Sequence, residues 1–410
     1  MTQFLGAFND NLFKSALVIL ITFRLAQAYQ VNAQIMITAV AGLFILPFFL
    51  FSSLAGQLAD KYEKSFLIRV IKLVEIILMC LTAAAFETMQ LWWLVFLLFC
   101  MGTQSTFFGP LKFSILPQHL NDEELVAGNG LVNAGTNIAI LTGTLCGGLF
   151  ILSPLGRHYI SAGVVGVAVA GYAASRFIPP AEPASPGLRI DRNLFRSTWE
   201  MLVYPLSNQN VFRSIIGVSW FWFLGSVFLA QFPSFAKDTI GGDEQVSTLF
   251  LVIFSIGVGA GATFCNKLLK GRVSGKYLSY SLVGMSLFIV TLYIFSAAAP
   301  AGRELISVWQ FVRGPQSAGI IFSMFMIAAC GGLYSVPMYA MMQRMTPESH
   351  MARVIASLNI IDSLGMVMAA ALTALMIAAG MSIIAIFLSM AFINLLMLPL
   401  TIKLSRVNYD

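Results

Sequence analysis

Charge is what this chain has least of. Of its 410 residues only 10% are Asp, Glu, Lys or Arg, where a soluble domain carries about 25%. That shortage excludes a water-facing globular surface. The net charge of +6 is read as a set of topology anchors, not as the basic patch that a nucleic-acid partner requires. Cysteine is scarce too. Cys80, Cys100, Cys146, Cys265 and Cys330 fall within apolar stretches without CxxC spacing, so neither a disulfide framework nor a thiolate metal cluster is expected. The three histidines, His119, His158 and His350, are scattered and form no ligand set. No Walker loop and no Ser/His/Asp arrangement occurs, so ATP-driven pumping, catalysis and a cofactor are not expected. A cleavable leader is not expected either, because Met1 opens almost directly into an apolar stretch.

What fills the chain is hydrocarbon. Hydrophobic residues make up 58% of it, in runs of about 20 residues, the length a helix needs to cross a bilayer core. Barrel strands alternate polar and apolar residues; these runs do not, so the spans are helical. The expected class is an all-α integral membrane protein with twelve transmembrane helices in two six-helix bundles. The spans are read at roughly 2–27, 32–58, 66–86, 91–117, 124–152, 158–176, 210–236, 245–269, 277–298, 316–343, 351–378 and 380–403. This divides the chain into an N-terminal bundle at 1–176, a cytoplasmic linker at 177–209 and a C-terminal bundle at 210–410. Within the linker, "PPAEPASPG" is too rich in proline for a helix. The following "NLFRSTWEMLVY" carries Leu194, Phe195, Trp199, Leu202 and Val203 at spacings suited to a short helix on the membrane surface. An ordinary solvated linker is the competing reading.

Lysine and arginine set the orientation. Even-numbered loops and the C-terminal tail hold fifteen, among them Lys61, Lys64, Arg69, Arg192, Lys267 and Arg344. Odd-numbered loops hold five: Arg24, Arg157, Lys237, Arg303 and Arg313. Both termini are therefore expected in the cytoplasm.

An internal repeat joins the halves. "GQLADKYEK" after span two aligns with "ATFCNKLLK" after span eight: Gly56, Asp60, Lys61 and Lys64 stand against Ala262, Asn266, Lys267 and Lys270. Two related halves of six spans are a transporter architecture, with the substrate path between them near the bilayer midplane. The first copy resembles the major facilitator superfamily motif G-x-x-x-D-(R/K)-x-x-(R/K)-(R/K), with Ser65 in its last position. Gly56 would allow close helix approach, Asp60 would cap or pair across the halves, and the lysines would hold the loop inside.

A narrower resemblance covers most of the chain. "FLGAFNDN" in span one, "GPLKFSIL" in span four and "GNGLVNAGTNIAILTG" in span five are similar to the bacterial lysophospholipid transporters. "VPMYAMMQ" and "ASLNIIDS" fit that family more loosely. Some of its members are fused to acyltransferase and acyl-carrier-protein synthetase domains; no fused enzyme is expected here. The resemblance implies a flippase in the bacterial inner membrane. Its substrates would be lysophosphatidylethanolamine and related lysophospholipids, carried from the outer to the inner leaflet. There a cytoplasmic acyltransferase or acyl-ACP synthetase would reacylate them. A monomer is expected.

The residues that would do this are the polar ones out of place in lipid. Asn9, Asp10, Asn11 and Lys14 sit inside span one, where a charge at the bilayer centre costs about 2.5–3.5 kcal/mol on the mildest scale. Asp10 and Lys14 lie on one helix face, about 6 Å apart along the axis, and either neutralise each other or serve a ligand. Lys112 follows Gly109-Pro110, where a break in span four is expected; it either builds an anion site or snorkels to the interface. Asn129, Asn133 and Asn137 form a stripe that lines a cavity or bonds a neighbouring helix. Lys72 and Glu75 are expected to pair locally near the cytoplasmic end of span three. In the second half, Asn359 and Asp362 share a face of span eleven. Together Asp10, Asn11, Lys14, Lys112, Asn133, Asn137, Asn359 and Asp362 offer both signs of charge and amide donors. A zwitterionic head group needs that mixture. The alternatives are a proton-coupled exporter of amphipathic drugs, with Asp10 or Asp362 as proton carrier, and a membrane anchor for an acyltransferase.

Overall fold

A computed structural model describes residues 1–31, 33–191, 193–297 and 305–407. Arg192 and Arg303, used above for orientation, and the side chains of Leu194 and Phe195 lie outside the described ones. Among the described residues ten helices are long and apolar enough to cross a membrane. An eleventh is Ile383–Leu395 with Leu398–Ser405, bent by 41°. The bend falls where Pro399 removes a backbone donor from the ladder. Span three, Lys64–Glu87, is long enough but carries Lys64, Arg69, Lys72 and Glu75. Counting it, the helices are the twelve expected.

The first six spans are Thr2–Leu20, Ala33–Lys61, Lys64–Glu87, Leu91–Ser114, Asp122–Ile151 and Gly156–Ser175. The next five are Gln209–Ser234, Glu244–Leu269, Leu278–Ala297, Ser317–Arg344 and Met351–Ala378, and the bent pair is the twelfth. Spans one and seven, equivalent in the repeat, both end in a π-helical turn, Ile21–Leu25 and Phe235–Ile240. Side chains cap the starts of spans three, seven and eight, where helix N-terminal amides lack an intrahelical partner. The Glu63 carboxylate accepts from the amides of Ser65 and Phe66, Asn208 from Asn210 and Val211, and Asp243 from Gln245 and Val246. The expected break at Gly109-Pro110 is absent: span four stays helical through Pro110 to Ser114. One missing hydrogen bond is tolerated where packed neighbours hold the helix on both sides.

The chain forms two compact units, each built from both halves of the sequence. The first contains Met1–His119, Ile138–Ser207 and Thr346–Ser363; the second contains Leu120–Asn137, Asn208–Met345 and Leu364–Asp410. Lipid is as apolar as leucine, so close packing and polar bonds, rather than water exclusion, hold such helices together. In the first unit Phe13 meets Phe86 edge-on at 5.6 Å amid Leu17, Leu20, Met79 and Leu98. In the second, Phe228 stacks on Phe387 at 4.3 Å. There the Asn394 amide donates to the Leu282 carbonyl at 2.8 Å and accepts from the Trp220 indole at 2.7 Å, binding spans seven, nine and twelve.

Within the first unit, the end of span two packs on the start of span eleven. A Cβ at Gly56 would stand 2.7 Å from that of Ala356. Asp60, fully buried, accepts from the Ala352 amide at 3.1 Å and from Arg353 Nε at 2.9 Å. Linker residues cover this junction. The amides of Ala181, Ser185 and Asp191 donate to the Glu63 carboxylate, the Asp60 carbonyl and the Gln57 side chain at 2.7–2.8 Å. A linker helix, Leu194–Val203, follows. One face of it is buried: Ser197 Oγ lies 2.7 Å from Ser53 Oγ, and Ser357 Oγ donates to the Met201 carbonyl at 2.7 Å. Trp199 on the other face is exposed. The linker is therefore neither freely solvated nor only a surface helix.

Removing one partner of a buried ion pair strands the other. Arg353→Gln is expected to destabilise the protein by about 3 kcal/mol, read as a lower thermal midpoint in detergent. Asp60→Asn combined with Arg353→Gln should regain most of that loss, because no buried charge remains unpaired.

Candidate functional site

In the first unit, spans one, two, three, four and eleven line a small, partly open chamber of about 100 Å³. That volume is about three times the share one water takes in the liquid. Asp10, Lys72, Lys112 and Asn359 line it, with the rings of Phe48 and Phe108. Asp10 accepts a hydrogen bond from Ser105 through Oδ2 at 2.7 Å, while its Oδ1 is buried without a partner. The amide Nδ2 of Asn359 is likewise buried and unpartnered. Lys112 carries its ammonium 4.9 Å from the Phe113 ring centroid and feels the opposite charges of Asp10 and Asp362. The chamber thus presents a spare acceptor, a spare donor and a cation in a water-poor setting, where each is strong.

Of the residues expected at a site, the structure brings Asp10, Lys112 and Asn359 together, with Asp362 acting on Lys112. Others lie elsewhere. Lys14 is not part of the chamber lining; its ammonium stands 5.3 Å from the Phe44 ring centroid. Asn11 donates to the Ala7 carbonyl of its own helix at 2.8 Å. The asparagine stripe of span five belongs to the second unit and is engaged between helices. Asn129 donates to Gln343 at 2.5 Å, Asn133 to Ser335 Oγ at 3.3 Å, and Asn137 to Asn133 Oδ1 at 3.0 Å. The motif residues Gly56 and Asp60 stand at the span-two junction; Lys61 lies over the Tyr62 ring, and Lys64 is buried.

The sequence reading under-weighted Lys72 and Glu75. They do pair, Nζ to Oε2 at 2.6 Å, but not at a membrane edge. Both are 1% exposed, and Glu75 stands at the middle of Lys64–Glu87. Gln104 Nε2 donates to Glu75 Oε2 and Asn9 Nδ2 to Oε1, each at 3.0 Å. Lys72 also lies 4.9 Å from the Phe108 ring centroid. The available signal was depth: Lys72 lies about two turns inside its helix, too far for a lysine stem to be read simply as an interfacial anchor.

A chamber of mixed charge inside twelve helices of repeated halves defines a membrane transporter. The chain belongs to the major facilitator superfamily, whose family model matches residues 1–314. It is 27% identical over 360 residues, 85% of this chain and 79% of the other, to the lysophospholipid transporter LplT of Salmonella gallinarum. It is 26% identical over 395 residues, 94% and 89% of the two chains, to LplT of Citrobacter koseri. Among solved structures it resembles the human organic anion transporter MFSD10, with a TM-score of 0.74 at 12% identity over 98% of both chains. That likeness concerns the fold alone.

Gly109 makes room for the Asn359 amide: a Cβ there would stand 2.7 Å from Nδ2. Gly109→Ala is expected to displace that amide and cut transport about ten-fold, with an unchanged thermal midpoint. Uptake assays beside thermal scans check it; a matching fall in stability would assign Gly109 to packing instead.

Proposed function

We propose that this transporter carries lysophospholipids, above all lysophosphatidylethanolamine, from the outer to the inner leaflet of a bacterial inner membrane. The observation that carries the reading is the chamber, where Asp10, Lys112 and Asn359 converge with open bonding capacity. An ethanolamine ammonium wants a carboxylate, and a phosphate wants a lysine and an amide donor. The name of the two relatives, lysophospholipid transporter, supports the same substrate class. The single acyl chain would trail in lipid, since drawing it through an aqueous path is costly. Alternating access would come from rocking of the two sequence halves, 1–176 and 210–410, joined by the linker at 177–209. The fifteen-to-five distribution of lysine and arginine supports cytoplasmic termini. A cytoplasmic acyltransferase or acyl-ACP synthetase would then receive the product.

Purified protein in liposomes tests this. Labelled lysophosphatidylethanolamine is expected to be flipped and its diacyl counterpart not. Lys112→Ala and Asp10→Ala should each slow flipping about ten-fold or more, the loss of one charge-assisted bond. Full transport by both variants would remove the chamber from the mechanism. Uptake driven by a pH gradient and indifferent to head group would favour a drug exporter.

A further inference from the structure

Two charged residues have no role in the proposed transport so far: Lys72, which lines the chamber, and its partner Glu75. Their arrangement is lopsided. Both Glu75 oxygens are engaged, holding donors from Asn9 of span one, Lys72 of span three and Gln104 of span four. Lys72 is not saturated. Among the described residues its ammonium makes one hydrogen bond, to Glu75, and lies against the face of Phe108. An ammonium has three N–H groups, so bonding capacity is left over. Lys72 lines the chamber, and Gly6 on span one leaves the space its head occupies, since a Cβ there would stand 2.6 Å from Nζ. Lys112 lines the same chamber.

We propose that Lys72 and Lys112 form a two-pronged seat for the substrate's phosphate, and that Glu75 is the fixed counter-ion that keeps the empty chamber neutral. The proposal rests on the lysophospholipid reading and assigns positions within it. Phosphate oxygens take the spare N–H groups of the two lysines and of Asn359, and the ammonium faces the unpartnered Oδ1 of Asp10. The charges of the lining and its counter-ion balance: Asp10 and Glu75 against Lys72 and Lys112. A neutral chamber favours a zwitterion over a head group of net charge. Glu75 stands behind the chamber lining, so it does not itself bind substrate; it positions Lys72 and sets the charge.

The test is selectivity between two phosphates of different charge. Uptake kinetics are measured in proteoliposomes for lysophosphatidylethanolamine, a zwitterion, and lysophosphatidate, an anion. Glu75→Gln leaves the chamber with excess positive charge and is expected to shift the KM ratio toward lysophosphatidate. Lys72→Gln is expected to shift it the other way, each by about ten-fold. A merely structural pair would not give shifts of opposite sign. The double variant Lys72→Gln/Glu75→Gln buries no lone charge, so it decides the matter if either single variant fails to fold. It should keep the wild-type ratio while raising both KM values about ten-fold. Shifts of the same sign in the two single variants would overturn the assignment. So would a double variant whose KM values stay within about two-fold of wild type. If the wild type moves neither lipid, the lysophospholipid reading falls and this proposal with it. If the wild type transports and the variants disobey the sign rule, only the phosphate seat falls.

Discussion

A carboxylate cut off from water must find all its partners in the protein, and Glu75 is the residue on which this rule bears hardest. At 1% exposure it has no solvent to call on. Leaving an ion of this kind unpaired costs several kcal/mol, more than any one helix contact in lipid returns. The fold meets that demand with donors from three different spans. Each donor fixes the rotation of its own helix: Asn9 faces span three only if span one is turned one way, and Gln104 constrains span four likewise. The network therefore acts as a key that admits one mutual orientation of spans one, three and four. Asp10, the next residue after Asn9, and Ser105, the next after Gln104, are carried into the chamber by that orientation.

Buried polar groups in this protein differ in how far the chain itself fills their bonding capacity. Glu75 and Asn394 have their capacity filled by the chain itself, and the span-five asparagines donate to span ten and to one another. Such groups hold helices together in a medium that gives them no hydrophobic reason to associate. Asp10 and Asn359 differ, each keeping one buried polar atom with no protein partner. Unfilled capacity of that sort is costly for a resting fold and is tolerated where a ligand or water completes it. Unpartnered buried atoms also occur elsewhere among the described residues, Asn129 Oδ1, Asn266 Oδ1 and the Tyr334 hydroxyl among them; what sets Asp10 and Asn359 apart is that they line one chamber together with Lys112.

The count of spans was legible because the bilayer core sets their length and the missing charge marks them. Their register against one another was not. Asn129, Asn133 and Asn137 at four-residue spacing look the same in sequence whether the stripe faces a cavity or a neighbouring helix; only the placement of Gln343 and Ser335 on span ten decides it. Lys72 and Glu75 read as a local pair, correctly, but a pair three residues apart carries no record of which helices surround it. Pro110 misled in the opposite direction. A proline forbids one hydrogen bond, yet the packed turns on either side of it keep span four continuous. Local chemistry thus picked out chamber-lining residues in spans one and four, Asp10 and Lys112, while their company depended on rotations that no single segment encodes.

The repeated loop motif carries the same lesson into mechanism. Its first copy places a carboxylate, Asp60, against the Ala352 amide and Arg353 in the first unit. Its second copy has Asn266 at the equivalent position, and the Asn266 side-chain oxygen is buried without a partner. Backbone approach is close in both: a Cβ at Gly56 would crowd Ala356, and one at Gly130 would come within 3.0 Å of the Ala262 carbonyl. The two copies therefore share a steric design but not an electrostatic one. An ion pair with one fully buried member resists separation far more than an amide whose oxygen is unpartnered among the described residues. Any motion that parts these junctions must then meet unequal resistance, with the span-two junction the stiffer.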